Sequence, residues 1–232
     1  MKYKHIFGPV LSRRLGISLG VDLVVHKVCS MDCVYCECGK TTRLTLERSQ
    51  VVDPERVKAE LDHFWANNDD PDYITFSGSG EPTLNRGLGE VIDYIKTEKP
   101  GIRVAVLTNA SLISDRDVQE ALMKADRVVP SLDAARQSAF DRINRPVPGL
   151  SAEVVISGLE AFSSRYSGEL FLEVLILPGY NDAPEDIEAL KTAVRRIRPD
   201  RVQINTLDRP GTCTGIRPAG GGTLKKIARA LE

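Results

Sequence analysis

Residues 73–109, YITFSGSGEPTLNRGLGEVIDYIKTEKPGIRVAVLTN, hold a strand, a glycine-rich turn, a helix and a second strand in succession. The run Tyr73 to Ser77 (YITFS) reads as a buried strand, a helix is predicted from about Gly87 to Glu98, and Arg103 to Thr108 reads as the next strand. The same alternation continues on both sides. Upstream, the apolar, β-branched run Leu19 to Val25 leads straight into a group of cysteines. DPERVKAELDHFWANN follows, with Asp53 as N-cap, Pro54 at the first helical position, and Val57, Leu61, Phe64 and Trp65 at helical spacing. Downstream, a helix is predicted from about Asp115 to Ala125, with Ser114 and Asp117 spaced as a capping box. Arg127 to Leu132 reads as a strand, a helix lies near Ala134 to Ile143, and Ala152 to Tyr166 is helical. The strand Leu170 to Leu177 (LFLEVLIL), a helix over Pro184 to Ile197, the strand Arg201 to Thr206 and a helix over Thr223 to Leu231 complete the pattern.

Strands alternating with helices argue for βαβ units and a parallel sheet. Six such units fill the 232 residues with no internal repeat, low-complexity tract or linker. One domain over 1–232 is the expectation, with a cysteine loop at 26–40 and a C-terminal cap segment from about 207 to 232. Branched apolar residues of YITFS, VAVLTN and LFLEVLIL are expected to fill the interior.

Hydrophobic content of 42% and charged content of 27% exclude disordered, collagen-like and coiled-coil chains. No apolar run reaches the roughly 18 to 20 residues of a membrane-spanning helix, and MKYKHIFGPV lacks the h-region of a signal peptide. A cytoplasmic protein without a membrane partner, and a monomer, is expected. The net charge of −1 is unevenly spread: residues 1–48 hold eight Lys/Arg against four acids, 49–194 fourteen against twenty-five, and 195–232 nine against three. Two basic ends on an acidic middle either form a patch for a polyanion or are solvated surface.

Four of the five cysteines, Cys29, Cys33, Cys36 and Cys38, crowd into ten residues, and Cys213 stands far downstream. Such crowding is wrong for a disulfide framework and points to metal ligation or redox chemistry. The spacing C-x3-C-x2-C of Cys29, Cys33 and Cys36 lets three thiolates reach three corners of a cubane iron–sulfur cluster, leaving the fourth iron open to a substrate or cofactor. Structural zinc with Cys38 as a fourth ligand, and a four-thiolate electron-transfer cluster, are the alternatives.

Parallel α/β folds bind ligands at the carboxyl ends of their strands. Here each predicted strand ends in polar or glycine-rich sequence: CSMDCVYCEC, SGSGEPT at 77–83, TNAS at 108–111, SLD at 131–133, PGYND at 178–182 and NTLDR at 205–209. Any one of these is ordinary turn chemistry; their coincidence on one face marks a site.

These residues resemble the radical S-adenosylmethionine (SAM) enzymes, whose signature is C-x3-C-x-aromatic-C, with Tyr35 at the aromatic position before Cys36. The resemblance implies a partial (β/α)6 TIM-type barrel of parallel strands, open on one side. It also implies a [4Fe-4S] cluster on Cys29, Cys33 and Cys36 whose unique iron binds the amine and carboxylate of SAM. An electron entering the sulfonium then breaks a carbon–sulfur bond, giving methionine and a 5′-deoxyadenosyl radical that abstracts hydrogen from substrate. A reductant such as flavodoxin or ferredoxin is implied as partner. SGSGEPT is similar to the family's Gly-Gly-Glu-Pro segment, making Ser77, Gly78, Gly80 and Glu81 candidate SAM contacts, with Ser79 where a second glycine is common. Asn109, Ser131 and Asp133 fall where similar enzymes contact the ribose and carboxylate of SAM, though each is also placed to cap a helix, Asp133 especially. Glu173 and Leu175 to Leu177 resemble the segment that approaches adenine, and Tyr35 is expected to pack there. An acid inside so apolar a strand needs a partner, so Glu173 faces the interior or pairs with an arginine; Gln203 and Asn205 point to the same region.

FGPVLSRRLGISLGVDLVV at 7–25, GKTT at 39–42, SLDA, INRPVPG and VQINT extend the resemblance to the wyosine-tRNA-synthase-like Fe–S oxidoreductase branch. That branch includes tRNA-modifying enzymes; a protein activase, or radical modification of a small molecule or peptide, are the alternatives, with a non-enzymatic metal module outside the family. Cys38 is a candidate auxiliary ligand. Cys213, in RPGTCTG after the sixth strand, is a candidate catalytic hydrogen donor; ordinary reduced thiols are the competing reading for both. Arg13, Arg14 and Arg209 are candidates for an anionic substrate or for pairing with acids.

Overall fold

The structure, a computed structural model, describes residues 2–12 and 14–231. It opens with an antiparallel hairpin, β1 (Ile6–Ser12) and β2 (Gly16–Val21), in which Ile6 pairs with Val21 and Ser12 with Gly16. A two-residue parallel ladder, β3 (Val28–Cys29) with β4 (Arg43–Leu44), pins the base of the cysteine loop. Helix α1 (Pro54–Asn67) leads to β5 (Tyr73–Phe76), α2 (Leu88–Glu98), β6 (Arg103–Thr108), α3 (Arg116–Leu122) and β7 (Arg127–Pro130). Helices α4 (Gln137–Ile143) and α5 (Ala152–Ser163) precede β8 (Glu169–Leu175). The chain then runs through α6 (Pro184–Ile197), β9 (Arg201–Asn205) and α7 (Gly221–Leu231).

The main sheet has the order β1-β2-β5-β6-β7-β8-β9. Every neighbouring pair from β2 to β9 is parallel, and β1 and β9 stand at opposite ends, so the sheet curves as a partial TIM barrel and stays open. The six parallel strands match the sequence pattern, and the hairpin strand β1 is an addition to it. Phe7, Val10 and Leu11 on β1 are exposed, so this strand lacks the buried face that makes strands readable.

Helix starts follow local chemistry. The Asp53 side chain accepts from Glu55 N–H with Pro54 behind it, as the sequence indicates. The expected Ser114–Asp117 capping box does not form: Asp115 is the N-cap of α3, accepting from Val118 N–H at 3.0 Å. Asp133 caps no helix, because α4 begins at Gln137 after Arg136. Leu88, Val91, Ile92 and Ile95 bury one face of α2 completely against the sheet, each such side chain contributing about 1.5–3 kcal/mol.

On β8 the burial alternates: Leu170, Leu172 and Val174 are sealed, while Glu169, Phe171, Glu173 and Leu175 are half-buried. That period of two turns Glu173 toward the inside of the open barrel. The interior departs from the expected apolar filling. Leu107 and Val129 are present, but Arg14, Arg127, Glu173 and Gln203 line the same small cavity.

Candidate functional site

The cysteine loop between β3 and β4 is fastened from four sides, which fixes where its thiols lie. On one side Met31 bridges Pro146, Val34 N–H donates to Ile143 O at 3.0 Å and Val147 N–H to Ser30 O at 2.9 Å, so the loop rests on the turn after α4. On a second, Thr45 N–H donates to Cys29 O and Thr42 N–H to Lys27 O, both at 3.0 Å. The 77–81 turn forms the third side: Glu81 N–H reaches Val28 O at 3.3 Å, and a Cβ on Gly80 would stand 1.9 Å from that oxygen, so no other residue fits. After β9, Cys213 N–H donates to Val34 O and Thr212 Oγ1 to Cys36 O, each at 3.0 Å, closing the fourth.

Within this frame each of three sulfurs receives an N–H from a different element. Lys27 Nζ donates to Cys36 Sγ at 2.8 Å, Asn109 Nδ2 to Cys29 Sγ at 3.5 Å and Asn144 Nδ2 to Cys33 Sγ at 3.5 Å. The thiols are electrostatically unequal. The Cys38 hydrogen bond first, then the Lys27 ammonium, pull Cys36 down to about 5 against the opposing effect of burial. Burial, with Glu81 next, pushes Cys29 up to about 11. Burial and the nearby Asp133 push Cys33 up as well. Burial opposes the charge on Lys27, yet its Cys36 hydrogen bond and the surrounding thiols hold the ammonium above its ordinary value. Cys38 Sγ donates to Gly78 O at 3.4 Å, and the Cys36 contact first, then burial, raise it.

The donors suit thiolates, the form in which cysteine binds metal. Among the described residues no three His, Cys, Asp or Glu side chains converge to hold a single ion. Three thiols spread along one anchored loop fit the separated corners of an iron–sulfur cluster better than one tetrahedral zinc.

The other expected site residues gather around this loop in two groups. Ser77 N–H donates to Val21 O at 3.0 Å; next to it Gly78, at φ +140°, packs on Asp22, whose carboxylate accepts from Ser79. Glu81 is 2% exposed and accepts four hydrogen bonds, from Thr83 N–H and Oγ1, Thr108 Oγ1 and Asn109 N–H at 3.1, 2.7, 2.6 and 2.7 Å. Burial pushes this carboxyl up while the four donors oppose it. The acid thereby holds the backbone of Asn109, whose side chain reaches Cys29. In the second group the Tyr35 hydroxyl donates to buried Asp133, which also accepts from Asn144 Nδ2 at 2.7 Å and Leu175 N–H at 2.9 Å. Burial raises both Tyr35 and Asp133. Asn181 Nδ2 ties Asp133 O to Leu175 O at 2.7 Å each. Ser131 bridges Glu173 main chain to main chain.

A cavity of about 550 Å³ opens beside Cys36, lined by Tyr35, Glu37, Glu173, Leu175, Asn205 and Arg14 among others. Arg14 Nη1 donates to Glu173 at 3.0 Å, and Asn205 bonds both. Glu173 therefore faces the interior and pairs with an arginine at once. Arg209 lies 3.4 Å from Glu37, and Arg13 lies outside the described residues. Cys213 sits half-buried against the loop it helps to close. Lys27 lies outside the sequence motifs, and Asn144 and Asn181 lie within INRPVPG and PGYND with no role that residue type alone marks. A lysine directly before Val28 and Cys29, in the mostly apolar run LVVHKVC, is the signal that points to Lys27, since a buried ammonium needs a partner.

The radical SAM superfamily profile matches residues 23–192, and the chain belongs to that superfamily. Its members bind a [4Fe-4S] cluster and SAM and need a reductant, so this protein is an enzyme of SAM-dependent radical chemistry. The chain is 39% identical over 232 residues to a protein of Brachyspira hyodysenteriae named GTPase Obg, covering all of this chain and 34% of that one. A UPF0026 protein of Synechocystis is 34% identical over 255 residues, with 99% of this chain and 93% of the relative covered. The dual-specificity RNA methyltransferase RlmN of Caulobacter vibrioides is 26% identical over 179 residues, covering 73% of this chain and 44% of its own length. The fold is similar to that of a radical SAM methyltransferase from Sphaerobacter thermophilus, with a TM-score of 0.65 at 16% identity, over 92% of this chain and 62% of the other. Among the described residues no helix is long and apolar enough to cross a membrane.

Proposed function

We propose that Cys29, Cys33 and Cys36 hold a [4Fe-4S] cluster and that the protein reductively cleaves SAM to methionine and a 5′-deoxyadenosyl radical, which abstracts hydrogen from a substrate. One observation supports this above the rest: three thiols on one anchored loop, each met by its own N–H donor, lie beside an open cavity at the carboxyl ends of parallel strands. The bound cluster supplies one electron at low potential and an open iron to chelate SAM.

The chain's own residues bind and orient around that chemistry. The Gly78 and Gly80 turn leaves backbone free of side chains next to the cysteine loop, where the methionine amine would sit with Ser77. Glu81 acts from behind that wall, setting the strand end that carries Asn109. Tyr35, held by Asp133, and Leu175 would offer an apolar surface for adenine, with Glu173 and Ser131 beside it to meet the ribose. Tyr35 and Leu175, with the walls of the cavity, shield the radical from water. Cys38 is close enough to Cys36 to affect it but is not needed as a ligand, and Cys213 in this reading closes the loop rather than donating hydrogen. The reductant is a flavodoxin or ferredoxin, and free thiols of this kind suit a cytoplasmic setting.

The substrate class best supported is RNA, through the RNA methyltransferase relative and the basic ends of the chain. A salt-sensitive shift of tRNA supports it; co-purification of a partner enzyme instead favours activation of a protein. The first test is anaerobic: reconstitute with iron and sulfide, count both, add SAM and dithionite, and assay 5′-deoxyadenosine. About four irons per chain, as the cubane requires, with product lost in Cys33→Ala, is the expected result; zinc, or a cluster that never cleaves SAM, refutes the reading.

A further inference from the structure

Lys27 is 2% exposed, and the two acceptors of its ammonium are Cys36 Sγ at 2.8 Å and Gly39 O at 2.7 Å, neither of them a carboxylate. A buried ammonium without a counter-charge costs several kcal/mol, so the balancing charge comes from sulfur. Asn144 shows the same bias toward donation. Its Oδ1 is buried and has no partner among the described residues, while its Nδ2 is shared between Asp133 and Cys33 Sγ. A flipped amide would set oxygen against the Asp133 carboxylate, so the carboxylate fixes the amide with its N–H toward sulfur. Asn109 is oriented from two sides: Glu81 holds its backbone N–H, and its Oδ1 accepts from Ser111 N–H at 3.0 Å, leaving Nδ2 on Ser30 Oγ and Cys29 Sγ. Three residues from three parts of the fold, before β3, after β6 and after α4, thus each aim an N–H at a different cysteine.

We infer that Lys27, Asn109 and Asn144 are positioning residues that set the reduction potential of the cluster, with the Lys27 ammonium contributing most. The inference rests on ligation of that cluster by Cys29, Cys33 and Cys36. Reduction adds one negative charge to the cluster; a cation in contact with a ligand sulfur, in an interior of low effective dielectric, favours the reduced state. Hydrogen bonds to the sulfurs act in the same direction by spreading ligand charge.

The test needs neither SAM nor substrate. Wild-type, Lys27→Met, Lys27→Arg, Asn109→Ala and Asn144→Ala proteins are reconstituted, their iron and sulfide counted, and each titrated potentiometrically with the reduced cluster followed by EPR. Lys27→Met is expected to load iron and to be reduced about tenfold less favourably, a potential about 59 mV lower for a one-electron couple. Lys27→Arg, which keeps the charge, is expected within about twofold of wild type, and the asparagine variants to shift the same way by about two- to threefold each. Should Lys27→Met not fold, Lys27→Arg and the two asparagine variants decide. Wild-type potentials in Asn109→Ala and Asn144→Ala, or in Lys27→Met, overturn the inference while leaving ligation intact. A wild-type chain that binds no cluster overturns the ligation itself, and the inference with it.

Discussion

Replacing Gly80 by alanine tests the closest approach in the site. A Cβ there would lie 1.9 Å from Val28 O and 2.9 Å from both Val28 C and Val24 Cγ2. Real Cβ contacts stay beyond 3.0 Å, so the Val28 carbonyl must retreat by more than 1 Å. That carbonyl accepts from Glu81 N–H and precedes Cys29, so the retreat breaks a hydrogen bond and moves the first thiol. Overpacking of this kind costs about 1–3 kcal/mol, and the lost hydrogen bond adds about 1 kcal/mol. For a chain of this length that lowers the melting temperature by roughly 2–4 °C per kcal/mol. Circular dichroism melts and urea titrations of the cluster-free chain measure the loss, and iron and sulfide counts after reconstitution measure displacement of Cys29. The control is Gly101→Ala, where nothing lies within 4 Å of the new Cβ and the change is neutral or stabilising by about 0.4–1 kcal/mol. A Gly80→Ala protein as stable and as iron-rich as the control would refute the contact between the 77–81 turn and the cysteine loop.

Other outcomes follow from the same geometry. In cluster-free protein the Cys38 contact and then the Lys27 ammonium hold Cys36 below its ordinary value. Iodoacetamide at pH 6.5 should therefore alkylate it before Cys29, held at about 11, and peptide mass spectrometry showing Cys29 labelled first would contradict this. Tyr35→Phe removes one of the donors to buried Asp133 and should cost about 1–3 kcal/mol in urea unfolding; an unchanged midpoint would mean that the bond contributes nothing. Cys213→Ala should keep full iron, because Cys213 closes the loop through its backbone N–H, and iron loss would make its thiol a ligand.

Much of this arrangement could be read from residue order alone. The alternation of elements placed six parallel strands and their polar ends correctly, because buried strands and amphipathic helices carry strong periodicity. Asp53 with Pro54 is a local signal and was realised. Ser114 lost the cap to its neighbour Asp115, one residue along, since both side chains can serve and tertiary packing sets where α3 begins. Strand β1 was not legible, its Phe7, Val10 and Leu11 lying exposed. In the site, residue types were readable but directions were not. Glu81 and Asp133 have the chemistry of ligand contacts, and their oxygens accept from protein donors far apart in sequence, which residue order does not reveal. The lysine beside Cys36 depends on a loop conformation that no spacing rule encodes.

The fourth side of the cysteine loop is supplied very late in the chain. Thr212 bonds Cys36 across 176 residues, and at about 5–20 residues per second of synthesis that separation lasts about 9 to 35 s. Contacts of such long range also close late in folding. For that interval the first half-barrel can be formed while the thiols still face solvent on the side that Gly211, Thr212 and Cys213 will cover. If the three cysteines hold the proposed cluster, that uncovered side would be the shortest way in for iron and sulfide.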